Sequence, residues 1–411
     1  MANAVTSAPP RSPRYLSLDF WRGIACLMVI VFHSTYYIQG EITKTQGIRK
    51  LFLVAVTYLW LGVPIFFVVS GYCISAACDS MRRKEHSVRS YFWRRYRRIF
   101  PPFWACVMLT TAVLLISGNS ALFTESTHRA FGGTLRPAFP QVSSLALSQW
   151  FGNLTLAESW RHTLGGDRLL YLLGQSWSLC YEEQFYIICG ILLFVAPERF
   201  FHGAAYVAAA VALVASVAPR NSTEGFFFDG RWLTFALGIL AYWTLNYASD
   251  RVRRRIKCTA VLASLTTVAS LSSRPVRVLI LSDIFRTELL CALLFTAVLL
   301  YLRPVDAAIT RSHLLRPISW AGAMCYSLYL CHWTVVKPIS AWFWHHGVTS
   351  LATTMLVTLP LCLVASLTVS RLFFLGVERH FLNARPTPQP KPLALTATAS
   401  RQSLRAFPSE F

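Results

Sequence analysis

Ten times along this chain the sequence runs for roughly 20 residues with almost no charge, enough for a helix to cross a hydrocarbon core of roughly 30 Å. The stretches fall at about 16–39, 51–76, 101–118, 177–197, 202–218, 231–248, 257–272, 285–302, 317–337 and 350–376. In lipid, a helix satisfies its own backbone polar groups, whereas a barrel would show short alternating segments. The pattern therefore predicts an all-α polytopic membrane protein of about ten transmembrane helices. A composition of 55% hydrophobic and 14% charged residues excludes a soluble multidomain chain.

The formal net charge of +21 would, on a soluble protein, suggest a nucleic-acid partner. Here the basic residues gather beside the apolar stretches, so they read as topology and imply no nucleic acid. With the N-terminus inside, about 24 of the 39 Lys and Arg residues fall in connections on that same side, which predicts both termini cytoplasmic. The eleven cysteines lie in or next to apolar stretches and form no CxxC, so neither a disulfide framework nor a metal site is expected. Residues 1–15 read as a disordered tail and 16–380 as one membrane domain. The Pro/Thr/Ala-rich end, 381–411, reads as a second disordered tail.

Ionisable residues inside a bilayer are expensive and call for an explanation. FWRGIACLMVIVFHS, residues 20–34, carries Arg22 and His33. Eleven residues make almost three full turns, so the two share one helix face, roughly 16.5 Å apart. Asp19, three residues before Arg22, is placed to pair with it. A snorkelling anchor would also account for Arg22 alone, but not for its alignment with His33. WSLCYEEQFY, residues 177–186, opens the fourth stretch with Glu182 and Glu183 pointing about 100° apart; one faces inward at a depth similar to His33. A histidine and a carboxylate at one depth fit a base and its orienter, and equally a structural ion pair. CYSLYLCHW, residues 325–333, adds His332 in the outer half, with Tyr329 three residues earlier on the neighbouring face and Ser327 close by; as structure alone these are amphipathic groups bridging helices. YFWRRYRRIFPPFW, residues 91–104, sets Arg95 and Arg98 three apart, a fork for a polyanion such as phosphate, ahead of Pro101-Pro102 at the expected start of the third stretch. GVPIFFVVSGYCI, residues 62–74, offers glycines for close helix contact, a proline bend, and Ser70 as a cavity-lining or packing residue.

Together these stretches resemble the acyltransferase-3 family of integral membrane O-acyltransferases, over about residues 15 to 380. The family's (D)xxRG helix with a later histidine is matched by Asp19, Arg22-Gly23 and His33. Its GVxxFFxxSG element is matched by Gly62 to Gly71, and its RxxR before a proline pair by Arg95 and Arg98. WSLxxExxFY runs from Trp177 to Tyr186 with Glu182 in the acid position. In the SYSLYLxH element Cys325 stands where serine is usual, while Tyr326, Ser327, Tyr329 and His332 are kept.

The resemblance implies transfer of an acyl group, commonly acetyl, from acetyl-CoA or another acyl-CoA to a hydroxyl, often on a cell-envelope carbohydrate. A multi-pass protein of a bacterial cytoplasmic (inner) membrane is implied with it, in a stand-alone form without an SGNH-type domain. The site expected is His33, Glu182 and Arg22 as catalytic residues and Arg95 and Arg98 as donor-binding residues. Ser70, Tyr329 and His332 are expected to line the cavity or form an oxyanion site, and no metal is expected. In that scheme Glu182 orients or charge-balances His33, and His332 or Tyr329 steadies the thioester oxygen. Direct transfer and transfer through an acyl-histidine both remain open. The rival classes are a transporter or flippase of an envelope glycan, which would move its substrate without acylating it, and an acyltransferase acting on a lipid or secondary metabolite.

Overall fold

A computed structural model describes residues 15–39, 45–117, 123, 139–166, 168–218, 220–272 and 283–382. Apart from Tyr15, Phe381 and Leu382, the two tails expected to be disordered lie outside these residues, as does most of 118–138. Among the described residues there is no strand. The principal helices are α1 (Leu18–Ser34), α2 (Gly62–Arg83), α3 (Val88–Ser117), α4 (Ser176–Val195), α5 (Phe200–Val217) and α6 (Arg231–Asn246). They continue as α7 (Asp250–Ser272), α8 (Asp283–Tyr301), α9 (Arg316–Ala323), α10 (Cys325–His345) and α11 (Leu359–Gly376).

Among the described residues five helices are long and apolar enough to cross a membrane by length and composition: Gly47–Arg83, which contains α2, then α3, α4, Pro197–Val217 and Leu351–Gly376. A pair bent by 56°, Thr287–Tyr301 with Arg303–Arg311, raises the number to six. The helices that fall short have a physical reason to do so. α1 has 17 residues and holds Asp19, Arg22 and His33, while α10 carries His332 and Lys337. These are interior helices, whose polar groups face protein rather than lipid. The outer faces show the opposite pattern: Ile116 of α3 is 87% exposed, Phe194 of α4 76% and Leu372 of α11 65%. Apolar exposure on this scale suits a lipid-facing surface and would be a liability in water. The chain is an integral membrane protein.

The bundle closes around α2, which packs along α6 on one side and α1 on another. Small residues set those distances. A methyl group at Gly71 would come within 2.0 Å of the Phe235 carbonyl oxygen, and one at Gly238 within 2.0 Å of that of Val68. The crossing of α1 and α9 is equally tight, since a methyl at Gly322 would lie 1.6 Å from the Asp19 carbonyl oxygen. The start of α1 is fixed from far along the chain. Asp306 accepts the backbone N–H groups of Leu16 and Ser17 at 2.7 and 2.8 Å, and pairs with Arg303 at 2.6 Å. These N–H groups, just ahead of the helix and at its N-cap, have no partner inside it, so a remote carboxylate satisfies them.

Two expectations about local structure are corrected. The third helix does not begin at Pro101; it begins at Val88, with Pro101 and Pro102 inside it. The basic cluster reads as a connection by charge, yet arginine is a good helix former and its neighbours are aromatic, so the segment extends the helix. The connection expected over 77–100 is accordingly helical except for residues 84–87, because α2 also runs on to Arg83. A short helix, Leu147–Thr155, has Leu147 and Phe151 exposed and Gln149 and Asn153 buried.

Candidate active site

A cavity of about 960 Å³ lies between α1, α2, α3, α4 and α10. All eight side chains singled out in the sequence line it: Arg22, His33, Ser70, Arg95, Arg98, Glu182, Tyr329 and His332. Glu183, adjacent to Glu182, does not, as the 100° rotation between neighbours requires.

The cavity is cationic toward one end of α1. Arg22 donates to Asp19 at 2.7 Å, the pairing expected from their spacing, and its second amino group reaches Cys73 Sγ at 3.0 Å. Cys325, the residue that departs from the usual serine, is within electrostatic range of both Arg22 and Arg98. Arg95 lies over the Tyr186 ring at 5.3 Å. Among the described residues no carboxylate is within ion-pair distance of Arg95 or Arg98. Guanidinium groups left unpaired in a protein cavity favour an anionic ligand, above all one with phosphate geometry.

Toward the other end of α1 stand two imidazoles. His33 and His332 stack with ring centroids 5.4 Å apart and an angle of 29°. His332 Nδ1 lies 3.0 Å from the Leu328 carbonyl oxygen and 2.8 Å from that of Tyr329. Carbonyls only accept, so Nδ1 carries the proton and Nε2 keeps a bare lone pair, which has no partner in the protein. That tautomer accepts a proton. His332 lines the cavity, as expected, and in this neutral tautomer its Nε2 is an acceptor. Tyr329 is engaged as well: its hydroxyl donates to the Gln175 carbonyl at 2.6 Å and lies 3.2 Å from Ser178 Oγ.

Among the described residues Glu182 makes no hydrogen bond to His33, which it was expected to orient or charge-balance. Its Oε1 accepts from the hydroxyls of Ser70 and Tyr186, which are themselves 3.0 Å apart. The reason is register: four residues along α4 bring Tyr186 onto the Glu182 face, and α2 presents Ser70 to both. The carboxylate therefore joins α2 to α4 beside Arg95. Ser327 turns away from the reaction centre and gives its N–H, at 2.9 Å, and its hydroxyl to Glu378. Burial pushes the Glu378 carboxyl above its ordinary range, against the opposing pull of the Ser327 hydroxyl and of Arg98.

Three residues that matter here went unread in the sequence. Tyr186 belongs to the motif that supplied Glu182, four residues on. Glu378 lies beyond the last apolar stretch, where nothing local marks it. Lys337 stands at the very end of the ninth stretch; it is 4% exposed, with its ammonium over the rings of Tyr36 and Trp333. No group of three or more His, Cys, Asp or Glu side chains is placed to hold a metal among the described residues.

The family model described as an acyltransferase domain matches residues 15–375. The chain belongs to the acyltransferase-3 family. Its relatives include the peptidoglycan O-acetyltransferase OatA of Listeria monocytogenes, 26% identical over 339 residues, covering 74% of this chain and 50% of that protein. The chain thus spans about half the length of that relative. A putative membrane-bound transacylase, BcsY of Komagataeibacter xylinus, is 26% identical over 387 residues, 90% of this chain and 83% of its own. The O-acetyltransferase OatA of Staphylococcus aureus is 25% identical over 195 residues, 46% and 26% of the two chains. No solved structure matches at a significant level.

Proposed function

We propose that this protein is an O-acetyltransferase of the bacterial cytoplasmic membrane, which moves an acetyl group from acetyl-CoA to a carbohydrate hydroxyl. The observation that carries the proposal is one cavity that takes in Arg95 and Arg98, which have no carboxylate partner among the described residues, and a stacked pair of imidazoles, with Arg22 three turns of α1 from His33. Ten crossings with both termini inside put the arginine end at the cytoplasm, where the donor is found. A helix overlies each of the ten apolar stretches, which supports that count.

In this reading Arg95, Arg98 and Arg22 hold the phosphates of the donor, and the pantetheine arm extends along the cavity toward the histidines. The acceptor hydroxyl enters from the opposite side. An imidazole takes its proton as the hydroxyl oxygen attacks the thioester carbonyl. The carbon–sulfur bond breaks, and the departing thiolate takes the proton back from the imidazolium. His33 is the assigned base, and the bare Nε2 of His332 beside it is a second acceptor for the same proton. Glu182, through Ser70 and Tyr186, fixes α2 against α4 and so sets the width of the passage. The listerial relative's name, a peptidoglycan O-acetyltransferase, supports a carbohydrate acceptor.

The test is acetyl transfer by purified protein in nanodiscs, with radiolabelled acetyl-CoA and a panel of glycans. Labelled glycan from the wild type but not from His33→Ala supports the reading. Equal labelling by both proteins overturns the role of His33, and movement of a glycan without labelling points to the flippase class.

A further inference from the structure

His33 has no hydrogen bond to orient it among the described residues, and its Nδ1 is buried without a partner. What touches the ring is aromatic. His332 stacks on it, and Trp333 meets it nearly at right angles, at 83° and 4.7 Å between centroids. Trp333 is in turn held by groups from outside the pair, among them Phe139, edge-on at 6.5 Å between centroids. Gly174 sits so close that a methyl there would come within 2.6 Å of Trp333 Cζ2. The ammonium of Lys337 lies 4.6 Å from the Trp333 ring centroid and 3.8 Å from that of Tyr36.

Lys337 is anomalous in energy as well as in place. It is 4% exposed, so it does not snorkel to water. Among the described residues it has neither a carboxylate partner nor a hydrogen bond. Burying an ammonium without a carboxylate is costly, and here two cation–π contacts are what stands against that cost. A methionine of similar length would fill the space at no such cost. A buried amine where an apolar side chain would pack, one aromatic ring away from the imidazole assigned as base, points to a role in the reaction rather than in the fold.

We infer that Lys337 is a positioning residue for acyl transfer. Its ammonium fixes the plane of the Trp333 ring, with Gly174 leaving that ring the room to lie where it does. Trp333 then fixes the plane of His33. The arrangement does by cation–π contact what a hydrogen-bonded carboxylate does for the histidine of a catalytic triad. This rests on His33 acting in the proposed reaction.

The test compares Lys337→Met and Lys337→Arg with the wild type in nanodiscs, through two readouts. The first needs neither donor nor acceptor: the carbon-13 imidazole signal of His33, assigned by its loss in His33→Asn, and the fluorine-19 signal of 5-fluorotryptophan at 333, assigned by its loss in Trp333→Phe. Both signals should shift or split in Lys337→Met and stay in place in Lys337→Arg. The second is release of CoA from acetyl-CoA with water as acceptor. There kcat should fall roughly 10- to 100-fold in Lys337→Met, the cost of a misplaced group, with KM for acetyl-CoA unchanged within about twofold. Lys337→Arg should recover most of kcat. Unmoved signals in Lys337→Met overturn the inference. Equal losses in both variants with a shared drop in melting temperature also overturn it, since they mark simple packing. A wild type that turns over no acetyl-CoA would instead count against the proposed reaction, and the signals of His33 and Trp333 would still decide the clamp.

Discussion

Replacing Arg95 and Arg98 together by alanine removes the two guanidinium groups that have no carboxylate partner and line the cavity. A hydrogen bond to a charged group contributes about 1.5–3 kcal/mol, so two arginine–phosphate contacts amount to about 3–6 kcal/mol. At about 1.4 kcal/mol per factor of ten, the Kd for CoA should rise roughly 10²- to 10⁴-fold. Both side chains are only partly buried, which favours the lower end of that range. The assay is equilibrium dialysis of CoA against protein in nanodiscs at two salt concentrations, with intact folding checked by elution profile and melting temperature. The wild-type affinity should weaken with salt, and that dependence should flatten in the double variant. Lysine at both positions keeps the charge but loses the planar fork, and should recover only part of the affinity. A well-folded double alanine variant that binds CoA within threefold of the wild type would refute the reasoning, because no other described pair of free guanidinium groups lines this cavity.

Tyr186→Phe leaves Arg95 its ring but takes a hydroxyl from Glu182, and should lower stability by about 1–1.5 kcal/mol, read as a fall in detergent melting temperature. His332→Ala should reduce kcat roughly 10²- to 10⁴-fold with CoA affinity unchanged, since the bare Nε2 is a proton acceptor. Tyr329→Phe should change kcat only a few-fold in the same assay, because its hydroxyl is committed to the Gln175 carbonyl. Gly238→Ala puts a methyl 2.0 Å from the Val68 carbonyl oxygen and should cost about 1–3 kcal/mol, measured by thermal unfolding and yield.

Much of the site was legible because helical periodicity is local. Arg22 and His33 share a face by their spacing, Arg95 and Arg98 by theirs, and all four line the cavity. The glycines at 62 and 71 marked close approaches, and the methyl test places them against Ala25 and Phe235. Partners that come from distant parts of the chain were not legible. Ser70 and Glu182 are 112 residues apart, and nothing in either motif says that the carboxylate turns to α2 rather than to α1. The beginning of α1 depends on Asp306, which is 290 residues from Leu16. The His332 tautomer follows from carbonyls three and four residues back on its own helix, so it was available in principle once the helix was assumed. The extent of α3 was misjudged because charge was read as topology before propensity was weighed. Lys337 went unread because it stood at the edge of an apolar stretch, where a lysine usually reaches water.

The central claim is that one cavity holds the donor by its arginines and carries out the transfer at its histidines. The most direct measurement follows both functions in the same samples, purified into nanodiscs: CoA binding, and loss of the thioester from radiolabelled acetyl-CoA, for wild type, His33→Ala and Arg95→Ala/Arg98→Ala. The account predicts that the histidine variant binds CoA as the wild type does but does not consume the thioester, while the arginine variant fails to bind. Thioester loss that persists unchanged in His33→Ala, or CoA binding that is absent from the wild type, would contradict it.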